Sequence, residues 1–167
     1  MNIIEIYRDG IKCSYSFIIS IFSFVILFSF VKFKREKNEL IQIEDENLRH
    51  HSDFKMTICI RQDLGMGRGK VASQCGHAVL GAYKKAIKRH PKMVEAWERS
   101  GQAKVVLKVS FKELLESERR AKEKNITSCL IKDAGRTQIA AGEYTAIAIG
   151  PGPSELIDEI TGEYKLL

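Results

Sequence analysis

Two kinds of hydrophobic pattern divide this chain. Residues 13–31 form an uncharged run rich in Ile, Phe and Val, whereas from residue 54 onward short apolar segments alternate with polar ones. The uncharged run is about as long as a bilayer-spanning helix, which needs roughly 17–25 apolar residues. We therefore predict an N-terminal tail (1–12), a transmembrane anchor (13–31), a polar linker (32–53) and one folded domain (54–167).

The predicted anchor competes with two other interpretations, a cleaved signal peptide and a buried core helix. A signal peptide favours a shorter apolar core and a small-residue cleavage site, and the Ser-Phe-Val-Lys-Phe-Lys that ends the run contains no such site. Basic residues are denser after the run than before it, so the positive-inside tendency places the folded domain in the cytosol. We expect the mitochondrial outer membrane, with the endoplasmic reticulum membrane as the alternative.

Within the folded domain the hydrophobic period switches between two residues and 3.6 residues, which predicts the order β-α-α-β-α-β-β-α. The predicted strands are Met56–Arg61, Ala103–Val109, Ile126–Ile131 and Tyr144–Ile149, and the predicted helices are Lys70–Arg89, Met93–Arg99, Phe111–Asn125 and a short one capped by Ser154. Ser110 and Glu113 have the spacing of a capping box, and residues 151–153 (Pro-Gly-Pro) predict a turn. This order indicates an α/β fold, a single domain in which helices pack on a mixed four-stranded sheet.

The first predicted helix follows a glycine-rich loop at residues 65–69. A helix N-terminus offers free N–H groups and the positive end of the helix dipole, so this junction suits an anion. Arg68 and Lys70 add positive charge there. Spacings of four and three residues place Lys70, Gln74 and His77 on one helix face.

Residue spacing excludes the two familiar nucleotide-binding loops. A P-loop requires glycine where Leu64 stands and Ser or Thr where Val71 stands, and the dinucleotide fingerprint requires glycine at Lys70. A Cys–His nucleophilic pair is also disfavoured, because Cys75 and His77 point to different faces of the helix. The four cysteines lack paired spacing, which indicates reduced thiols.

A second polar cluster, at residues 132–138, lies between two predicted strands. Loops that leave strand ends are where α/β folds place their chemistry. Asp133 and Lys70 would offer one substrate a carboxylate and an ammonium group. Asp133 is equally compatible with an ordinary turn before Gly135, and composition does not decide between the two.

The net charge of +6 belongs to the folded domain, since residues 53–167 hold 20 Lys and Arg against 14 Asp and Glu. Positive charge favours anionic partners such as RNA, although solubility explains this value nearly as well. The basic end of the first helix, residues 84–92, is either a solvated helix end or a contact with a nucleic-acid backbone. Composition favours the solvated helix end. His50 and His51, in the linker, are two lone histidines with little promise as metal ligands.

Together these motifs resemble the peptidyl-tRNA hydrolases of the archaeal and eukaryotic type. The resemblance covers residues 56–167 and rests on the blocks Arg61–Leu64, Gly69–Ala78 and Asp133–Ala140, and on Thr145 with Ala148–Pro151. It implies cleavage of the ester between a peptide and the 3′ end of a tRNA, by a domain that is commonly a homodimer. Likeness to animal-type members placed on mitochondria also implies apoptosis signalling with partner proteins. We expect no cofactor, no metal ion and no covalent intermediate.

The resemblance also implies the site residues. The positions that match the family's active residues, and that we expect to be catalytic, are Lys70, Gln74, Asp133, Thr137 and Thr145. Those expected to bind substrate are Arg61, Arg68, His77, Arg136 and Gln138. In this scheme Asp133 orients or deprotonates the attacking water, while Lys70 stabilises the oxyanion or a phosphate.

Two other classes of function compete with the enzyme. A membrane-anchored adaptor would bind a protein partner without chemistry, and it predicts a degenerate site, whereas Lys70 and Asp133 are both present. An RNA-binding module would bind tRNA in a salt-sensitive manner but release no peptide. The enzyme is the favoured reading.

Overall fold

The computed structural model describes residues 24, 26–32, 34–35, 53–136 and 139–167. The chain divides into two compact units, residues 1–46 and residues 47–167. In the first unit the described residues are helical. None of the helices in these described ranges is long and apolar enough to cross a bilayer. The tail, residues 13–23 and 25 of the predicted anchor, and most of the linker, with His50 and His51, lie outside the described residues.

The second unit has the predicted order of helices and strands. Its elements are β1 (Phe54–Arg61), α1 (Arg68–Arg89), α2 (Pro91–Arg99), β2 (Ala103–Val109), α3 (Phe111–Glu123), β3 (Ser128–Lys132), β4 (Tyr144–Pro153) and α4 (Ser154–Thr161). The prediction of one α/β domain is confirmed.

The sheet has the strand order β2-β1-β4-β3. Strands β1 and β2 run parallel, and β4 is antiparallel to both β1 and β3, so the sheet is mixed. The C-terminal residues extend it, because Leu166 forms an antiparallel bridge with Leu107 beside the outer edge of β2. The predicted four-stranded sheet is therefore corrected to four strands plus this short fifth one. Three residues are too few to show a period of two, which is why the sequence analysis missed it.

Two hydrophobic clusters cover the two faces of the sheet. Helices α1 and α2 contribute Ala78, Ala82 and Trp97 to one cluster. Helices α3 and α4 contribute Leu114, Ala121, Ile157 and Ile160 to the other. Because β1 lies between these layers, nearly all of its residues are buried, and not only every second one.

Some predicted boundaries differ from the structure. The capping box at Ser110 and Glu113 is confirmed. The predicted turn at residues 151–153 is instead the end of β4, because Phe54 pairs with Pro153 and extends the ladder. Ser154 is the first residue of α4 and not its cap, because the helix begins one residue earlier than predicted, after Pro153, and the Ser154 hydroxyl donates to Asp53 Oδ2 at 3.0 Å.

Candidate active site

The N-terminal half of α1 and the end of β3 meet at Asp133. The ammonium group of Lys70 forms an ion pair with Asp133 Oδ2, and Gln74 Nε2 donates to the same oxygen at 2.9 Å. The other carboxylate oxygen, Oδ1, accepts the backbone N–H of Gly135 at 2.8 Å. Asp133 is only 5% exposed, so its carboxylate is held by three donors in a nearly closed setting.

A β-bulge brings Thr145 into this group. Ile131 pairs with Ala146 but the next residue, Lys132, pairs with Tyr144, which leaves Thr145 as an extra residue on β4. Regular alternation would turn Thr145 toward the α3 face, where Ile147 packs. The bulge instead lets the Thr145 hydroxyl donate to Gln74 Oε1 at 2.7 Å, as bulges beside active sites often re-aim a side chain.

The environment of Asp133 favours its charged form. The hydrogen bond from Lys70, followed by that from the Gly135 N–H, holds the pKa of Asp133 below its ordinary value, against the opposing effect of burial. The carboxylate is therefore ionised at neutral pH. It is a good hydrogen-bond acceptor but a weak base.

A cavity of about 650 Å³ opens beside this ion pair. Its wall includes Lys70, Ser73 and His77 from α1, and Lys132, Asp133 and Arg136 from β3 and the loop that follows. The lining residues include three cations, of which Lys70 binds Asp133 and Lys132 lies over the ring of Tyr144 at 4.8 Å. Such a cavity attracts an anionic ligand and offers it several donors.

The structure brings together most of the residues that the sequence predicted. Of the expected catalytic residues, four form the network just described, and Thr137 lies outside the described residues. Of the expected substrate-binding residues, His77 and Arg136 line the cavity. Gln138 lies outside the described residues, and Arg68 is exposed at the start of α1, next to Gly69 of the cavity wall but not itself part of it.

Arg61 is engaged elsewhere. Its guanidinium binds both oxygens of Asp63, the carboxylate of Glu143 and the carbonyl oxygen of Tyr144, and it stacks over the ring of Phe111. Only 6% of Arg61 is exposed, and it does not line the cavity. Its contacts tie the end of β1 to the start of β4, next to the bulge.

Two cavity residues were missed by the sequence analysis as site residues. Ser73 lies one turn beyond Lys70, with its hydroxyl oxygen 3.4 Å from His77 Nε2, and Lys132 directly precedes Asp133. The sequence could have indicated both residues, because Ser73 lies three residues after Lys70, on the same side of the helix, and Lys132 is the residue before Asp133. No three His, Cys, Asp or Glu side chains within the described ranges are placed to hold a metal ion.

The cysteines of the second unit are unpaired thiols, as the sequence predicted. Cys75 packs against the core, and burial raises the pKa of its thiol. Burial also raises the pKa of Cys59 to about 12. Neither thiol is activated for nucleophilic attack.

Comparison with known proteins supports the resemblance seen in the motifs. Residues 54–167 match the family model described as peptidyl-tRNA hydrolase PTH2. The chain belongs to this family. It is 47% identical over 133 residues to "Peptidyl-tRNA hydrolase 2, mitochondrial" of Bos taurus, covering 79% of this chain and 74% of that protein. It is 50% identical over 115 residues to the protein of the same name in Homo sapiens, covering 68% of this chain and 64% of that one.

An archaeal relative is matched over its whole length. The "Peptidyl-tRNA hydrolase" of Methanocaldococcus jannaschii is 48% identical over 115 residues, which are 68% of this chain and 100% of that protein. In that relative the matched domain is therefore the entire protein.

Proposed function

We propose that this chain cleaves the ester bond of peptidyl-tRNA in the cavity between α1 and the loop after β3. Peptidyl-tRNA hydrolysis is the activity of its family, and the relatives at 47–50% identity carry that name. The observation that supports this location is the network joining Lys70, Asp133, Gln74 and Thr145 beside a cation-lined cavity. The 3′ end of a tRNA is anionic and fits such a cavity.

Lys70 has the position of an electrostatic catalyst. Attack on an ester carbonyl creates a negatively charged tetrahedral oxygen, and a fixed donor that meets this charge lowers the barrier. The ion pair with Asp133 fixes the Lys70 ammonium at the cavity wall, with only 12% of the side chain exposed. Little reorganisation is then needed when the charge develops.

Asp133 is better suited to orienting than to deprotonating the water. Its lowered pKa makes proton abstraction unfavourable, whereas an ionised carboxylate is a strong hydrogen-bond acceptor. Of the two roles considered for Asp133, we propose the first. Gln74 and Thr145 are positioning residues, because Gln74 donates to the carboxylate and Thr145 donates to Gln74.

The substrate contacts we propose are those that line the cavity. His77 and Arg136 offer donors to the ester and to the terminal nucleotide, whereas the Lys132 ammonium lies over the ring of Tyr144. Contacts of Arg68, Thr137 and Gln138 with substrate stay predictions. A contact from Arg61 also stays a prediction, although its present partners favour a supporting role.

A hydrolysis assay tests this proposal. The full chain and its variants are incubated with N-acetyl-aminoacyl-tRNA, and release of the N-acetyl amino acid is followed, with the free-amine form of the same aminoacyl-tRNA as the substrate control. Lys70→Ala removes the donor to the oxyanion, so kcat should fall by about 10²–10³. Lys112→Ala, an exposed cation of α3, is the matched control and should leave kcat unchanged.

Full activity in Lys70→Ala would overturn this mechanism. Binding of the tRNA by the wild-type chain without release of the amino acid would favour the RNA-binding module. Neither binding nor release would favour the adaptor.

We also propose that residues 13–31 anchor the chain in the mitochondrial outer membrane. The support is the uncharged run in the sequence and the word "mitochondrial" in the names of the cow and human relatives. A reporter fused to residues 1–53 should co-localise with mitochondria and resist extraction by alkaline carbonate; a diffuse or reticular reporter would contradict this. The homodimer and the apoptosis partners rest on the resemblance alone and stay predictions.

A further inference from the structure

Helix α1 carries positive charge without any compensating negative charge. Its 22 residues include six cations and neither Asp nor Glu. The cations are Arg68, Lys70, Lys84, Lys85, Lys88 and Arg89. Like charges at helical spacing destabilise a helix unless they are solvated or face an anion.

The four cations in the C-terminal half of α1 divide into two pairs by their contacts. Lys85 donates to the carbonyl oxygen of Ser128 at 3.0 Å, and Arg89 donates to Asn125 Oδ1 at 3.0 Å, so these two hold the start of β3. Lys84 and Lys88 are exposed and make no hydrogen bond or ion pair within the described residues. Together with Arg68, which is exposed at the first turn of the helix, they are the cations of α1 without a partner among the described residues.

Lys84 and Lys88 continue the helix face that forms the cavity wall. Spacings of four, seven and four residues place Ser73, His77, Lys84 and Lys88 along one side of α1, and the first two line the cavity. At 1.5 Å per residue, Lys84 lies about 10 Å and Lys88 about 17 Å beyond His77 along the helix axis. One exposed stripe therefore leads from the cavity to both lysines.

Several cations on α3 and α2 are instead neutralised by carboxylates of their own helix. On α3, Arg119 and Arg120 pair with Glu116, and Lys122 pairs with Glu118, at helical spacing. On α2, next to α1, Glu95 pairs with Arg99 and Glu98 accepts the Tyr83 hydroxyl. Lys84 and Lys88 of α1 have no such partner among the described residues.

We infer that Lys84 and Lys88 bind phosphates of the tRNA body while its 3′ end occupies the cavity. This inference rests on the proposed function and assigns a second part of the substrate to a second part of the protein. A tRNA is the anion that fits, because one ligand must reach both the cavity and cations up to 17 Å away along the helix. Contacts of this kind add affinity and position the substrate without taking part in the chemistry.

Two substrates that differ only in the tRNA body test the inference. One is N-acetyl-aminoacyl-tRNA, and the other is the same ester on the isolated 3′-terminal nucleotide. The full chain is compared with the double variant Lys84→Gln/Lys88→Gln, and kcat and KM are measured at several salt concentrations. The double variant Lys112→Gln/Lys122→Gln removes the same net charge from α3, on the opposite face, and is the control for net charge, with Lys122 paired to Glu118 in the wild type.

The expected result is specific to the tRNA body. In the Lys84/Lys88 variant KM for the tRNA substrate should rise about tenfold at low salt, with kcat unchanged. The slope of log KM against log salt should fall by about 1.4–1.8, the value for two lost phosphate contacts. Kinetics on the short ester, and both substrates with the α3 variant, should match the wild type.

Three results would overturn the inference. They are an unchanged KM for the tRNA substrate, an equal loss on both substrates, and an equal loss in the α3 variant. Failure of the proposed function is distinguishable from these results, because the wild-type chain would then hydrolyse neither substrate.

Discussion

Lys70 and Asp133 depend on each other inside a largely closed site, with 12% and 3% of their side chains exposed. Removing one partner from such a pair leaves the other charge desolvated and without compensation. The two residues therefore act on function and on folding together. This coupling makes the ionisation of Asp133 measurable through protein stability.

The pH dependence of unfolding should report the lowered pKa of Asp133. In the folded protein this pKa lies below its ordinary value of 3.8, mainly because of the hydrogen bond from Lys70. The folded state then binds the proton less tightly than the unfolded state. The resulting stability is complete above the ordinary pKa and is lost as the pH falls through the folded pKa.

Unfolding in urea at several pH values checks this expectation. The wild type should lose free energy of unfolding relative to Asp133→Asn as the pH falls from about 5 to about 2, because protonation makes the two side chains alike. A difference between the two proteins that stays constant over this range would show that Asp133 is not held by Lys70.

Thr145 and Thr127 form a matched pair of buried hydroxyl groups. Thr145 donates to Gln74, whereas the Thr127 hydroxyl has no hydrogen-bond partner among the described residues. Thr145→Val should lower kcat by about 2- to 13-fold, the equivalent of one net hydrogen bond of about 0.5–1.5 kcal/mol.

Thr127→Val is the control for this substitution. It should leave kcat unchanged and leave the free energy of unfolding equal or higher, because burying a lone hydroxyl is unfavourable. Equal kinetics of Thr145→Val and wild type would remove Thr145 from the positioning network.

Among the elements, α1 places the site, and its fit against β3 depends on one glycine. A Cβ atom added at Gly81 would lie 2.5 Å from Cys129 Sγ, whereas one added at Gly76 would meet nothing within 4 Å. Both glycines lie inside the helix, so alanine gains the same helix propensity at either place. Only the packing against β3 distinguishes them.

These two glycines give a prediction for stability. Gly76→Ala should raise the free energy of unfolding by about 0.5–1 kcal/mol. Gly81→Ala should lie about 1–3 kcal/mol below Gly76→Ala, because the added methyl group displaces Cys129. Urea unfolding measures both, and equal stabilisation by the two substitutions would contradict the close packing of α1 on β3.

On the scale of the whole domain, the C-terminal residues close an exposed sheet edge. The Lys108 N–H donates to the carbonyl oxygen of Lys165 at 2.9 Å, and the Leu167 N–H donates to that of Val106 at 3.1 Å. Without these partners β2 would present a free edge, which invites pairing with other chains.

Deleting residues 165–167 should therefore have two effects. The free energy of unfolding should fall by about 1–3 kcal/mol, the net value of two hydrogen bonds, and light scattering should reveal self-association. Replacing Leu166 and Leu167 by Ser keeps the backbone bonds and is the control, because these side chains are 68% and 52% exposed. A deletion that behaves like the wild type would show that the segment does not protect the edge.

The sequence alone determined the element order, the α/β class and the capping box of α3, and its motif blocks carried the site residues that the family resemblance implies. Each of these is recorded locally, in hydrophobic period, in spacing or in contiguous motif blocks. Lys70, Gln74 and Asp133 were recognisable because each lies within such a block.

Only the tertiary structure decided how distant segments meet. The strand order, the fifth strand at Leu166, the bulge that turns Thr145 toward Gln74 and the partners of Arg61 all depend on residues far apart in the chain. A register shift leaves no trace in local periodicity, because it is set by pairing with another strand. For the same reason only the structure distinguishes the paired cations of α1 from the unpaired ones, because Lys85 and Arg89 are bound by residues at the start of β3.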